Sequence, residues 1–189
     1  SDVYKRQSEM LTALRDAESA AVAEELSFLP KAIYVCNTNI LADDASQTDD
    51  PKQPFDQRQA PPILIWRYLT EQCGVPADEI AVYADLKTHK DFSLPVDFVL
   101  FNGGDSDYDD FVAGDFRHII FNRTLQEGWD DPSVYFAYVD KTMESSVQIT
   151  QVVGRVLRQP GATHYQADRL NTAHFYVRVC LLYTSDAAD

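Results

Sequence analysis

Six short apolar runs, separated by segments of helical or turn character, are what most constrain this chain. Ala32–Cys36, Ile80–Ala84, Phe98–Phe101, His118–Phe121, Val134–Val139 and Phe175–Val179 are four to six residues long and rich in Val, Ile, Phe and Tyr. Runs of that length without strict polar alternation suit strands buried on both faces. Between them, residues 8–27 place Met10, Leu14, Ala17 and Ala21 at helical spacing, and Pro30 stops that helix. Ile63–Gln72 and Ser145–Leu157 also predict helices, stopped by Gly74-Val75-Pro76 and Pro160-Gly161. Gly103 to Asp110 predicts an acidic turn that opens a short helix ending near Gly114, and residues 43–62, with four prolines, predict a long surface loop. Strands alternating with helices predict an α/β fold with a mostly parallel sheet flanked by helices.

The two ends stand apart from this pattern. Read back as codons, Ser1–Gln7 and Cys180–Asp189 match the two strands of one transposon end used in sequencing adapters, so 1–7 and 180–189 are expected to be non-native. The expected division is then a leading helix and linker over 8–30 and one domain over 31–179. Setting the ends aside removes Lys5, Arg6, Asp2, Asp186 and Asp189, which moves the formal charge only from −14 to −13. So acidic a balance argues against a domain that wraps nucleic acid by itself, because affinity for phosphates comes from Lys and Arg; any such contact must be narrow, or the basic surface must lie elsewhere in a longer chain. Cys36 and Cys73 are too few for a zinc site or a disulfide framework. No apolar run reaches the ~18–20 residues of a membrane helix, and a cytoplasmic location is expected.

Two clusters carry chemistry. In Gln151-Val152-Val153-Gly154-Arg155-Val156-Leu157-Arg158, residues 151, 154, 155 and 158 fall at i, i+3, i+4 and i+7, one stripe of a helix, with the valines and Leu157 on its apolar side. Two arginines and a glycine on one stripe suit a wall facing a polyphosphate, since each guanidinium is a permanently charged fork. A solvated helix face is the plainer reading of the same residues. Leu125-Gln126-Glu127-Gly128-Trp129-Asp130-Asp131-Pro132 lies between two predicted strands. Gly128 there permits close backbone approach, and Asp130 can accept a ribose hydroxyl or orient a water; an ordinary acidic turn is the alternative.

Other candidates fail on chemistry. Asp105-Ser106-Asp107-Tyr108-Asp109-Asp110 lacks the glycine and the closing glutamate of a calcium loop. His89, His118, His164 and His174 have no ligand spacing, Gly103-Gly104 is followed by acid where a phosphate loop needs lysine, and Trp66 and Tyr68 suit a core better than a base-stacking platform.

Taken together and in this order, the two clusters resemble motifs V and VI of superfamily-2 helicases. The Glu127-Gly128-Trp129-Asp130 stretch is most similar to the motor subunits of type III restriction enzymes, and Tyr34-Val35-Cys36-Asn37-Thr38 resembles motif IV. The resemblance covers about residues 31–179 and implies a RecA-like fold, the second lobe (helicase C-terminal domain) of an ATP-dependent DNA translocase. It implies ATP and Mg²⁺ held mainly by a first lobe of the same chain, Arg158 as arginine finger, Arg155 as its companion, and Gln151, Gly154, Gly128 and Asp130 at the nucleotide. It implies contacts to the DNA backbone through Asn37, Thr38, Asn122 and Thr124, with a methyltransferase or specificity subunit as a further partner. No G-x-x-x-x-G-K-[ST] loop, no Mg²⁺-binding D-E-x-H and no D…E-x-K nuclease cluster occurs in the 189 residues, so this chain alone is expected to be inactive. Another superfamily-2 repair or RNA helicase, or a non-catalytic RecA-like interaction domain, would carry the same pattern.

Overall fold

The computed structural model describes residues 2–36, 48–121, 131, 133–140 and 164–178. Helix α1 (Asp2–Ala23) precedes strand β1 (Lys31–Val35). Helix α2 (Pro61–Arg67) runs on into a π-helical turn over Tyr68–Gln72 and leads to β2 (Ile80–Tyr83). Then follow β3 (Val99–Phe101), α3 (Asp107–Ala113), β4 (His118–Phe121), β5 (Val134–Asp140) and β6 (His174–Arg178). The strands form one sheet in the order β3-β2-β4-β1-β5-β6, and every pairing is parallel. The architecture is therefore α/β, with all of the expected strands present.

Alternation along the strands builds two cores. Ala32, Tyr34, Val82, Ile120, Phe136 and Tyr138 face one side, where Met10, Leu14, Ala17 and Ala21 of α1 and Ile63 and Leu69 of the α2 segment cover them. Ile33, Val35, Ala81, Tyr83, Ile119, Phe121 and Ala137 face the other side with Phe111 of α3. Helices on both faces explain why β2 and β4 are buried at every residue, and why their sequences read as unbroken apolar runs.

Three boundaries differ from the sequence reading. The leading helix begins at Asp2 rather than residue 8, because nothing in Val3–Gln7 opposes helix; among the side chains described, the first buried one is Met10. It ends four residues before 27, in a turn where Leu26 N–H reaches Ala21 C=O and Glu25 N–H reaches Val22 C=O. Glu25 takes a φ of 55°, the left-handed position usually given to glycine in such an end. The second helix starts at Pro61, two residues early, since a proline at the first helical position loses no hydrogen bond. The expected surface loop over 43–62 is described from 48 onward, and there it is anything but free. Asp49 and Arg58 have side chains only 1% exposed and pair with each other. The expected helix Ser145–Leu157 lies outside the described residues. Cys36 is buried and Cys73 is half-buried, and burial raises the Cys73 thiol pKa. No helix among the described residues is long and apolar enough to cross a membrane.

Candidate functional site

The carboxyl ends of β2, β4 and β1 lie side by side. Val35 is the register partner of Phe121, and Phe121 of Tyr83. One residue past β1, buried Cys36 donates its N–H to the Phe121 carbonyl at 3.1 Å, which extends the ladder to the rim. Asn37 and Thr38 follow Cys36 directly, and Asn122 and Thr124 follow Phe121; all four lie outside the described residues, as do Gly128, Asp130, Gln151, Gly154, Arg155 and Arg158. What the structure does describe is the set of strands that carry them. β1, the strand before Asn37, sits between β4, the strand before Asn122, and β5, the strand before the 151–158 stripe.

Connections from this edge diverge at two places. From β1 the chain goes to β2 on one side, while from β5 it goes to β6 on the other. From β2 it goes to β3, while from its neighbour β4 it goes to β5. In open parallel sheets such switch points leave crevices outside the carboxyl ends of the strands, and ligands settle there.

At the opposite edge, Asp131 has a structural duty. Its Oδ2 accepts from Lys31 Nζ at 3.0 Å, its Oδ1 from the Ser133 N–H at 2.9 Å, and its carbonyl from the Val134 N–H at 3.2 Å. Of the two adjacent acids, Asp131 stands just before β5 and pins its approach to the start of β1. The sequence pattern alone offers no reason to separate it from Asp130.

Asp49, overlooked in the sequence, gathers a polar centre under the carboxyl edge. Its Oδ2 accepts from Arg58 Nε at 2.9 Å and Arg58 Nη2 at 2.5 Å, and its Oδ1 accepts the N–H groups of Gln59 and Ala60. Arg58 Nη2 also donates to the Lys87 carbonyl at 3.0 Å, which ties this loop to the turn after β2. Stripped of water, a carboxylate and a guanidinium stay charged only with such a set of partners.

On the α1 side, the Tyr34 hydroxyl and His118 Nδ1 share a hydrogen bond of 2.9 Å. Burial, helped by the Arg117 and Arg15 charges, pushes the His118 pKa down to about 4, and burial raises that of Tyr34 well above its usual value. A neutral imidazole beside a neutral phenol is a core polar pair, in keeping with the absence of ligand spacing. Arg117 donates to Glu18 and to the Pro30 carbonyl, and burial still raises the Glu18 pKa despite that charge.

At the end of β3, Asp107 Oδ2 accepts three successive N–H groups, from Asn102, Gly103 and Gly104, at 2.9 to 3.1 Å. Three converging amides would suit a phosphate, but here the chain's own carboxylate fills the place. Trp66 packs against Phe55 and Phe98, with ring centroids 5.5 and 5.1 Å away, in the core rather than at a binding surface.

Comparison of the chain with protein-family models, with curated proteins and with solved structures gave no match.

Proposed function

We propose that this chain is the second, RecA-like motor lobe of a superfamily-2 DNA translocase of the type III restriction-enzyme kind. The reading rests on the motif resemblance. The observation that carries it furthest is the meeting of motif order with strand order. The three stretches that resemble motifs IV, V and VI come at or after the ends of β1, β4 and β5; β1 is far in sequence from the other two, yet it lies between them in the sheet. A chance scatter of an Asn-Thr pair, an E-G-W-D and a Q-x-x-G-R-x-x-R has no reason to fall on three neighbouring strands.

In this reading, ATP and Mg²⁺ are held mainly by a first lobe. Arg158 meets the γ-phosphate as the lobes close, with Arg155 beside it, and Gln151, Gly154, Gly128 and Asp130 border the nucleotide. Phosphoryl transfer is catalysed chiefly by positioning and by charge placed where negative charge develops. DNA runs across the rim, touched through its backbone by Asn37, Thr38, Asn122 and Thr124. Such contacts hold a strand without reading its sequence.

The experiment is steady-state ATP hydrolysis, with and without DNA, by this chain alone and by the longer protein carrying Arg155→Ala. The chain alone should not turn over ATP, and Arg155→Ala should lower DNA-stimulated turnover without lowering the melting temperature. Turnover by the chain alone, or an Arg155→Ala protein of unchanged rate, contradicts the reading.

A further inference from the structure

The chain is acidic, so its cations are informative by their partners. Among the described residues, Lys31, Arg58, Arg67, Arg117 and Arg169 each stand within ion-pair distance of a carboxylate. Lys87 and Lys90, like Lys5, Arg15 and Lys52, have no such partner among the described residues, and both are exposed. They share one turn, Asp85–Phe92, at the carboxyl end of β2.

That turn is built rather than loose. Leu86 is 5% exposed and anchors it in the core. The buried Arg58 holds the Lys87 carbonyl at 3.0 Å, and Arg58 is itself held by Asp49. His89 and Phe92 form a β-bridge with their rings 5.8 Å apart, and the Asp91 N–H donates to His89 Nδ1. Of the two acids of the turn, Asp85 has a partner within the molecule, and the exposed Asp91 carboxylate lies 3.9 Å from His89 Nδ1. The turn also borders the switch point between β2 and β4, where the chain leaves neighbouring strands toward opposite sides.

We propose that Lys87 and Lys90 contact the phosphate backbone of DNA, as a third segment beside those that follow β1 and β4. The inference rests on the translocase reading and extends it to residues outside the motifs. Geometry supports the assignment. Strand ends of β2, β4 and β1, spaced about 4.8 Å apart, present a front of about 10 Å. One strand of DNA offers a phosphate per ~3.4 Å of axis, so about three phosphates face that front. Two lysines on one turn also make a narrow contact, one of the two forms open to a strongly acidic chain. With Arg58 fixing the backbone, the lysines need order only their side chains on binding.

The test is binding of a mixed-sequence duplex oligonucleotide by the whole chain over a range of salt concentrations, starting at low salt. Each phosphate contact contributes about 0.9 to the slope of log K against log salt. The Lys87→Gln/Lys90→Gln variant should bind more weakly at low salt, with a slope shallower by about 1.8. The control Lys5→Gln/Arg169→Gln removes the same charge elsewhere and should keep the slope. Matching circular dichroism melts show that each variant is folded. If the wild-type chain binds and the lysine variant keeps its slope, the proposal is overturned while the DNA partner stands. If the control loses as much slope as the lysine variant, general charge explains the effect and the proposal falls. If the wild-type chain fails to bind even at low salt, the DNA partner falls too, and the proposal with it.

Discussion

The amino and carboxyl edges of the sheet use their charges in opposite ways. At the amino edge several charged groups close on another part of the fold. Lys31 meets Asp131, Arg117 meets Glu18 and the Pro30 carbonyl, and the Glu24 carboxylate accepts the N–H groups of Gln166 and Ala167 at 3.2 and 2.6 Å. These contacts fasten α1, the start of β1 and the approach to β6 together. At the carboxyl edge a charged pair of comparable duty, Asp49–Arg58, is sunk beneath the rim, and Lys87 and Lys90 above it stay unpaired among the described residues. Charges satisfied within the chain maintain the fold. Those left over at the edge where strands deliver ligands are the ones available for function.

If that contrast is right, the largest stability effect should come from the sunken pair. Asp49→Ala leaves the Arg58 guanidinium buried without its counter-charge and two N–H groups unmet, and should cost about 3–5 kcal/mol in urea unfolding. A loss below about 1 kcal/mol, the range of an exposed pair, would show that water reaches it.

Next is a pH effect confined to His118. Its folded pKa, about 4, lies below the 6.5 of an exposed histidine, so the unfolded chain takes up the extra proton. This contribution is complete above pH 6.5 and is lost as the pH falls from 6.5 toward about 4, roughly 3 kcal/mol in all. Glu18, with its pKa raised by burial, acts in the opposite sense, and only in the carboxylate range. His118→Gln keeps a partner for the Tyr34 hydroxyl and should flatten the curve of stability against pH in that window. An unchanged curve would mean another group titrates.

The smallest effect belongs to Lys31→Met. The Lys31–Asp131 pair is about four-fifths buried on both sides yet still reaches water, and its loss should cost no more than about 1 kcal/mol. A larger loss in thermal melts would place the start of β5 among the cooperative parts of the core.

How much of this was legible beforehand follows from what each signal depends on. β1, β4 and β5 were plain because burial on both faces leaves an unbroken apolar run. Pro61 and Pro62 misled, since proline in a sequence marks a loop unless it occupies the first turn of a helix. Asp49 and Arg58 read as solvated loop charges because pairing across nine residues depends on how the chain folds back, not on local periodicity. The candidate site was legible as chemistry, in Gln151, Arg155, Arg158, Gly128 and Asp130, but not as a place. That β1 lies between β4 and β5 depends on pairings such as Val35 with Phe121 and Val35 with Val139, between residues distant in the chain, which no local pattern encodes.

The central claim is that the 151–158 stripe supplies an arginine finger, and ATP turnover by Arg158 variants of the longer protein tests it most directly. A residue needed only when charge develops on the γ-phosphate should lower the rate by several powers of ten when removed, while nucleotide affinity and melting temperature stay near those of the wild type. Arg158→Lys should fail as well, because a point charge does not replace the planar fork. DNA-stimulated ATPase, with melts of each variant, gives both readings. An Arg158→Ala protein that hydrolyses ATP at close to the wild-type rate would contradict the account and return the stripe to an ordinary solvated helix face.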